Sequence, residues 1–346
     1  MCWRFSMQSK IQPTDLVEEY IQDIVARNTQ MMDHRYSLFE GYMSMPLEEI
    51  KSRLRTTMAE DWAYRGFRDA DRNPGNDFEL LVNEVPKAIV GKYFGDNEDV
   101  RKTTEAFRKR KELIKADPFT SDEEKARKYK VAETLLGIKF RKFYDEHLPE
   151  IQAKGYEKEH FAQILAGKEA EFINRQIVQQ EFNQNRSDDN IIVFDEEKDK
   201  GCCTKSLTVS LYKLQEKYGL GIFDQLDDFE DIAHPIPLTE KLKKHIERPE
   251  SGNLEDVEML RGDIAFITTP DGTPRHAMLC YDFDEETHEP LLMGFSSIDT
   301  KIKANKNNYG ESRRGIVLHV NSLIREAYNN LEKSNSNQPI NKGNER

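Results

Sequence analysis

The sequence predicts an α+β protein in two parts: an all-helical first half over residues 1–187, then a domain over residues 188–332 in which one helix packs on a small antiparallel sheet. Three observations predict it. Apolar residues recur at helical spacing through the first half, composition shifts near residue 187 toward short β-prone runs, and turn signals such as Asp271-Gly272 separate those runs. The length of 346 residues agrees with two domains, since an ordinary domain holds about 150.

Taken in order, Pro13-Thr14-Asp15 opens a helix over 14–28 with an apolar face of Leu16, Val17, Tyr20, Ile21, Ile24 and Val25. A second helix starts after Pro46 and carries Leu47, Ile50, Leu54, Met58 and Trp62 along one side. The acidic stretch 69–77 is a loop whose spaced acids suggest calcium only superficially, because it lacks the glycine and terminal glutamate at the spacing of a calcium-binding loop. Helical patterns resume over 78–94, 98–115, 122–146 and 157–184, with Ser121-Asp-Glu-Glu124 as a capping box. The run Arg108-Lys-Arg-Lys111 reads as a solvated helix face. Beyond residue 187 come a strand over 191–194, an acidic loop, a helix from the paired cysteines 202 and 203, and an insertion over 219–260 with a helix near 241–246. A hairpin follows, with strands near 261–267 and 276–281, then strands over 291–297 and 315–320. The Asn, Ser and Lys-rich tail 333–346 is expected to be disordered.

Bulk composition excludes several functions. A net charge of −12 leaves no basic surface for nucleic acid, so no nucleic-acid partner is expected, and the same charge disfavours an anionic membrane. No apolar run reaches the roughly 18 residues of a membrane span, and the first ten residues lack a signal-peptide core, which together point to a cytoplasmic protein or to export by a specialised system without a signal peptide. Four cysteines, two of them adjacent, make no disulfide framework.

The chemistry concentrates at Gly201-Cys202-Cys203-Thr204. Leu207, Leu211 and Leu214 form a one-sided helical stripe that anchors this helix and leaves its first turn facing a cleft. At that turn the unpaired N–H groups and the helix dipole stabilise a thiolate. His276 opens the second hairpin strand, where an imidazole can take the thiol proton and release a thiolate to attack an amide or ester carbonyl. His319 is a reserve base. Zinc is a poor fit to Cys202, Cys203, His276 and Cys280, because adjacent cysteines chelate one tetrahedral ion badly and no Cys-x-x-Cys pair exists. No cofactor and no metal is expected, and Cys280 reads as a pocket or core residue.

In order, Gly201-Cys-Cys-Thr204, Gly262-Asp-Ile-Ala-Phe266 and His276-Ala277 resemble the motifs of the cysteine, histidine-dependent amidohydrolase/peptidase (CHAP) family and the wider NlpC-like branch of papain-like hydrolases. The resemblance covers about residues 195–325. It implies a papain-like fold for the second domain, with Cys203 as nucleophile and His276 as base. It also implies a third residue on the strand after His276, where Ser296, Ser297 and Asp299 lie and Asp299 or Ser297 is the choice. The implied function is a cysteine peptidase or amidase acting on a peptide or on bacterial peptidoglycan. The helical half is then a targeting, regulatory or inhibitory module with a protein partner of its own. The alternative is a non-catalytic helical scaffold whose papain-like domain has become a binding module.

Overall fold

The computed structural model describes residues 11–65, 74–184, 202–223, 234–269, 272–286, 288–294, 302–303 and 314–336. The chain is α+β, with helices throughout the first part and an antiparallel sheet near the C-terminus. The helices are α1 (Pro13–Met43), α2 (Leu47–Arg65), α3 (Pro74–Tyr93), α4 (Glu98–Ala116), α5 (Asp122–Glu146), α6 (Leu148–Ala153), α7 (Tyr156–Gln184), α8 (Cys202–Tyr218), α9 (Pro235–Lys241) and α10 (Val320–Ser336). The strands are β1 (Ile246–Glu247), β2 (Ile264–Thr268), β3 (Pro274–Phe283), β4 (Pro290–Gly294), β5 (Ile302–Lys303) and β6 (Gly315–Leu318).

Two compact units form, and they are drawn differently from the expected division at residue 187. One comprises residues 1–35 and 168–346, the other residues 36–167, so the divisions fall inside α1 and α7. The reason is where the apolar faces go. Leu16, Val17, Tyr20, Ile21 and Ile24 of α1, with Val178 and Phe182 of α7, are buried in one core with α8 and the sheet. The first half of α1 and the end of α7 therefore share a core with the last third of the sequence.

In the 36–167 unit, α5 packs between α3 and α4 over a core that includes Ile50, Leu54, Ile89, Val90, Phe140 and Leu165. The expected capping box is present, since Ser121 Oγ accepts from the Glu124 N–H at 3.3 Å. Asn97 does the same for α4, accepting from the Asp99 N–H at 2.9 Å.

In the other unit the sheet runs β1-β6-β2-β3-β4-β5, every neighbour antiparallel. The expected hairpin is β2 and β3, with Phe266 opposite Ala277 and Ile267 opposite His276. One face of the sheet, including Ile264, Phe266, Ala277, Leu279 and Leu318, packs on α1, α7, α8 and α10. The other, with Ala265, Met278, Cys280 and Val317, is covered by Leu254, Val257 and Met259. No helix among the described residues is long and apolar enough to cross a membrane.

Several elements differ from the sequence expectation. Helix α1 runs on to Met43 rather than ending at 28, because Arg27 and Asn28 are buried against its neighbours and no breaker occurs before Pro46. The expected helix at 241–246 is displaced onto Pro235–Lys241, where prolines occupy the first turn, and Ile246–Glu247 instead pair with β6. The tail expected to be disordered from residue 333 is helical through Ser336, because Val320, Leu323, Ile324 and Ala327 form a one-sided stripe buried in the core. The strand expected at 191–194 lies outside the described residues.

Candidate active site

Helix α8 begins at Cys202, and Cys203 sits in its first turn. The stripe Leu207, Leu211 and Leu214 is buried as its spacing predicts. The rest of its first turns is also covered, because Thr204, Lys205, Ser206, Thr208 and Ser210 are all buried. Polar partners from α1 and α7 make that burial tolerable. Arg27 donates to Ser206 O at 3.0 Å and Ser210 Oγ at 3.2 Å, Ser210 Oγ donates to Asp23 at 2.6 Å, and Lys205 Nζ donates to Gln179 Oε1 at 2.9 Å. Enclosure on every side over these residues holds the first turn in place.

Strand β3 presents His276 to that turn. The Cys203 thiol and the His276 imidazole are hydrogen-bonded to each other, and the Ala277 N–H also donates to the Cys203 sulfur. Thr204 Oγ1 lies 4.0 Å from the same sulfur. Burial pushes the Cys203 thiol up, but the hydrogen bond and charge of His276, with the Ala277 N–H, outweigh it and hold the thiol below its ordinary range. Burial pushes the His276 imidazolium down, whereas the hydrogen bond and charge of Cys203, together with the Glu171 carboxylate, carry it above the usual histidine value. The two opposite displacements favour the thiolate–imidazolium pair.

The structure thus brings together Cys203 and His276, the two residues the sequence singled out. Ser296, Ser297 and Asp299 lie outside the described residues. His319 is placed elsewhere: its Nδ1 bonds to Asp263 Oδ2 and its Nε2 to Glu247 Oε2, each at 3.0 Å. Cys280 is a core residue, fully buried among Met278, Leu292 and Val317, and burial pushes its thiol up to about 12. Two thiols of the same unit are thus displaced in opposite directions, Cys280 up and Cys203 down.

Two further residues shape the site without having been picked out in the sequence. Gly294, the last residue of β4, lies under the imidazole: a Cβ there would stand 2.9 Å from His276 Nε2. A glycine ending an apolar strand is a signal of close approach that sequence reading can use. The expected result for Gly294→Ala is a ring pushed off the thiol rather than an unfolded protein, because the end of a side chain yields more easily than backbone. Stability should fall by about 1 kcal/mol, the cost of holding the ring off its rotamer, while iodoacetamide labelling of Cys203 at pH 6 slows roughly tenfold. Mass mapping of labelled peptides with a denaturant melt checks both, and wild-type labelling would show that the ring does not depend on this glycine. The other residue, Glu171, is buried on α7 and paired with Arg175. No local pattern marks it.

The Gly262-Asp263 motif has a structural task. Gly262 adopts φ 95° and leaves no room for a side chain, since a Cβ would stand 2.9 Å from Val17 Cγ1 of α1. Asp263 is completely buried and accepts from the Leu260 N–H at 2.9 Å, the Val320 N–H at 3.0 Å and His319. It ties the start of β2 to the first turn of α10.

This clamp is sensitive to pH through His319. Partial burial lowers the His319 imidazolium, but hydrogen bonds and charges from Asp263 and Glu247 raise it above the ordinary value. A histidine raised on folding contributes stability that is complete below its unfolded value, near 6.5, and is lost as pH rises through the folded value. The difference in unfolding free energy between the wild type and His319→Gln should therefore shrink from pH 6 toward pH 9. Denaturant melts across that range measure it, and a difference constant with pH would remove His319 from the pH response.

No protein-family model, curated protein or solved structure matches the chain.

Proposed function

We propose that this protein is a cysteine hydrolase that cleaves an amide bond through Cys203 and His276. The observation that carries the reading is the hydrogen bond between the Cys203 thiol and the His276 imidazole at the first turn of a buried helix. In this reading His276 takes the thiol proton and the sulfur attacks the carbonyl carbon, forming a C–S bond and an oxyanion. The Cys203 N–H, one of the unpaired donors of the helix start, stabilises that oxyanion. Collapse of the oxyanion breaks the C–N bond, and the amine leaves with the proton returned by the imidazolium. Water, deprotonated by the neutral imidazole, then attacks the thioester, releasing a carboxylic acid and restoring the thiol.

The motif resemblance supports a papain-like domain and the peptide crosslinks of bacterial peptidoglycan as substrate. The helical unit formed by residues 36–167 then supplies contacts to a protein partner or to the substrate. The test is incubation of the full chain and of Cys203→Ala with muropeptides and with unmodified peptides, read by mass spectrometry. Expected is release of an amine and a new carboxylate by the wild type alone. Failure of both peptide classes to react, together with a Cys203 that labels as slowly as an ordinary buried thiol, would favour the scaffold alternative.

A further inference from the structure

Helix α7 runs beside α8 in the same direction. Gln179 meets Lys205 at 2.9 Å, the Phe182 and Tyr212 rings have centroids 5.0 Å apart, and Glu181 meets Lys213 at 3.2 Å, so the contacts advance together along both helices. The residues preceding Gln179 on α7 accordingly extend toward, and past, the start of α8. Helical rise puts Arg175 roughly 6 Å and Glu171 roughly 12 Å before Gln179, whereas Cys203 is roughly 3 Å before Lys205.

Glu171, Asn174, Arg175, Val178, Gln179 and Phe182 recur at three- and four-residue spacing and are all buried, making one face of α7. Its character changes along its length. Beside the body of α8 it includes Val178 and Phe182; toward the start of α8 it becomes Glu171, Asn174 and Arg175. The side chains of Glu171 and Arg175 are 7% and 8% exposed and form an ion pair. Asn174 Nδ2 is buried without a hydrogen-bond partner. A buried ion pair is commonly no more stabilising than apolar residues of similar volume, and an unpaired amide is a cost. A face that served packing alone would stay apolar toward the thiol.

We propose that Glu171 is a positioning residue of the site: its buried carboxylate, held by Arg175 on the stretch of α7 that extends past the start of α8, favours the imidazolium of His276 and through it the thiolate of Cys203. This inference rests on the Cys203–His276 reading and deepens it by giving the site a charged third member from α7. The electrostatics agree, since the Glu171 charge acts to raise His276. The ion pair with Arg175 restrains the rotamer of the carboxylate. The proton itself passes only between Cys203 and His276.

The experiment uses the full chain with iodoacetamide as probe, following labelling of Cys203 from pH 4 to 9 by peptide mass mapping and titrating His276 by NMR of ¹³C-labelled histidine. Glu171→Gln keeps the shape and an acceptor for Arg175 but removes the charge. Expected are a His276 midpoint at lower pH and labelling about tenfold slower at pH 6, the size of one charge acting across roughly 10 Å at an effective dielectric of about 20. Glu171→Asp, which keeps the charge further back, should fall between Gln and the wild type. If Glu171→Gln does not fold, the Asp variant decides: a lowered midpoint supports the proposal and an unchanged one overturns it. An activated wild type with both variants unchanged, or the same shift produced by Asp299→Asn and not by Glu171→Gln, would overturn the role of Glu171 while leaving the dyad. A wild-type Cys203 that labels like an ordinary thiol would instead overturn the dyad itself.

Discussion

Replacing His276 by Ala is expected to abolish the low-pH reactivity of Cys203 while leaving the fold in place. The thiol is held below its ordinary range against the opposing effect of burial, and the first influence that overcomes burial is the hydrogen bond from His276. Without the imidazole, burial dominates and the thiol should behave more like Cys280, which is pushed up to about 12. An ordinary thiol near pKa 8.5 is only about 0.3% ionised at pH 6. A low-pKa thiolate is intrinsically less nucleophilic, which offsets roughly tenfold of the gain from ionisation. Labelling at pH 6 should therefore drop about ten- to a hundredfold in His276→Ala. Hydrolysis of any substrate found should fall by about 10²- to 10⁴-fold, the usual loss when a general base is removed. The pH profile of iodoacetamide labelling, read peptide by peptide, measures the first effect. Superimposable profiles for wild type and variant would sink the hydrolase reading.

Asp263→Ala carries the largest expected cost in stability. The carboxylate is inaccessible to solvent and accepts from Leu260 N–H, Val320 N–H and His319. Its removal strands two backbone donors and an imidazole, each worth about 1–3 kcal/mol when left unsatisfied. Burial also raises the Asp263 carboxyl against the pull of those hydrogen bonds, so the native arrangement already contains a desolvation penalty that truncation relieves. The net loss should be about 3 kcal/mol. Asp263→Asn, which retains one acceptor, should lose less. Urea unfolding of the three proteins tests the order, and faster amide exchange in the first turn of α10 should accompany the loss. A change under about 1 kcal/mol for the alanine variant would show that the clamp is dispensable.

The Cys203–His276 pair was legible because each residue carries local signals: a helix start after small residues for one, a strand opening after a turn for the other. Their chain order then made a meeting chemically sensible. The helices of the first half were legible for the same reason, as with the Ser121 cap, whose hydrogen bond to Glu124 spans three residues. The limits of α1 and the existence of α10 were not. Arg27 is separated by 154 residues from Glu181, with which it pairs, and it looks like an end of amphipathic helix until α7 and α8 enclose it. The α10 stripe lies in a polar, Asn-rich segment whose apolar residues become decisive only when the sheet offers them a face.

By itself, the sequence determined the α+β class, the periodic helices, the β2–β3 hairpin and the choice of Cys203 and His276 as the pair to watch, because these follow from local spacing, turn preference and side-chain type. Tertiary structure decided that the first helix shares a core with the last strands, that Gly294 makes room for the imidazole, that Asp263 clamps α10, and that Glu171 lies buried in an ion pair with Arg175. Each of those depends on contacts between segments far apart in the chain, where a charged residue that would be solvated on an isolated helix finds the one partner that makes its burial tolerable.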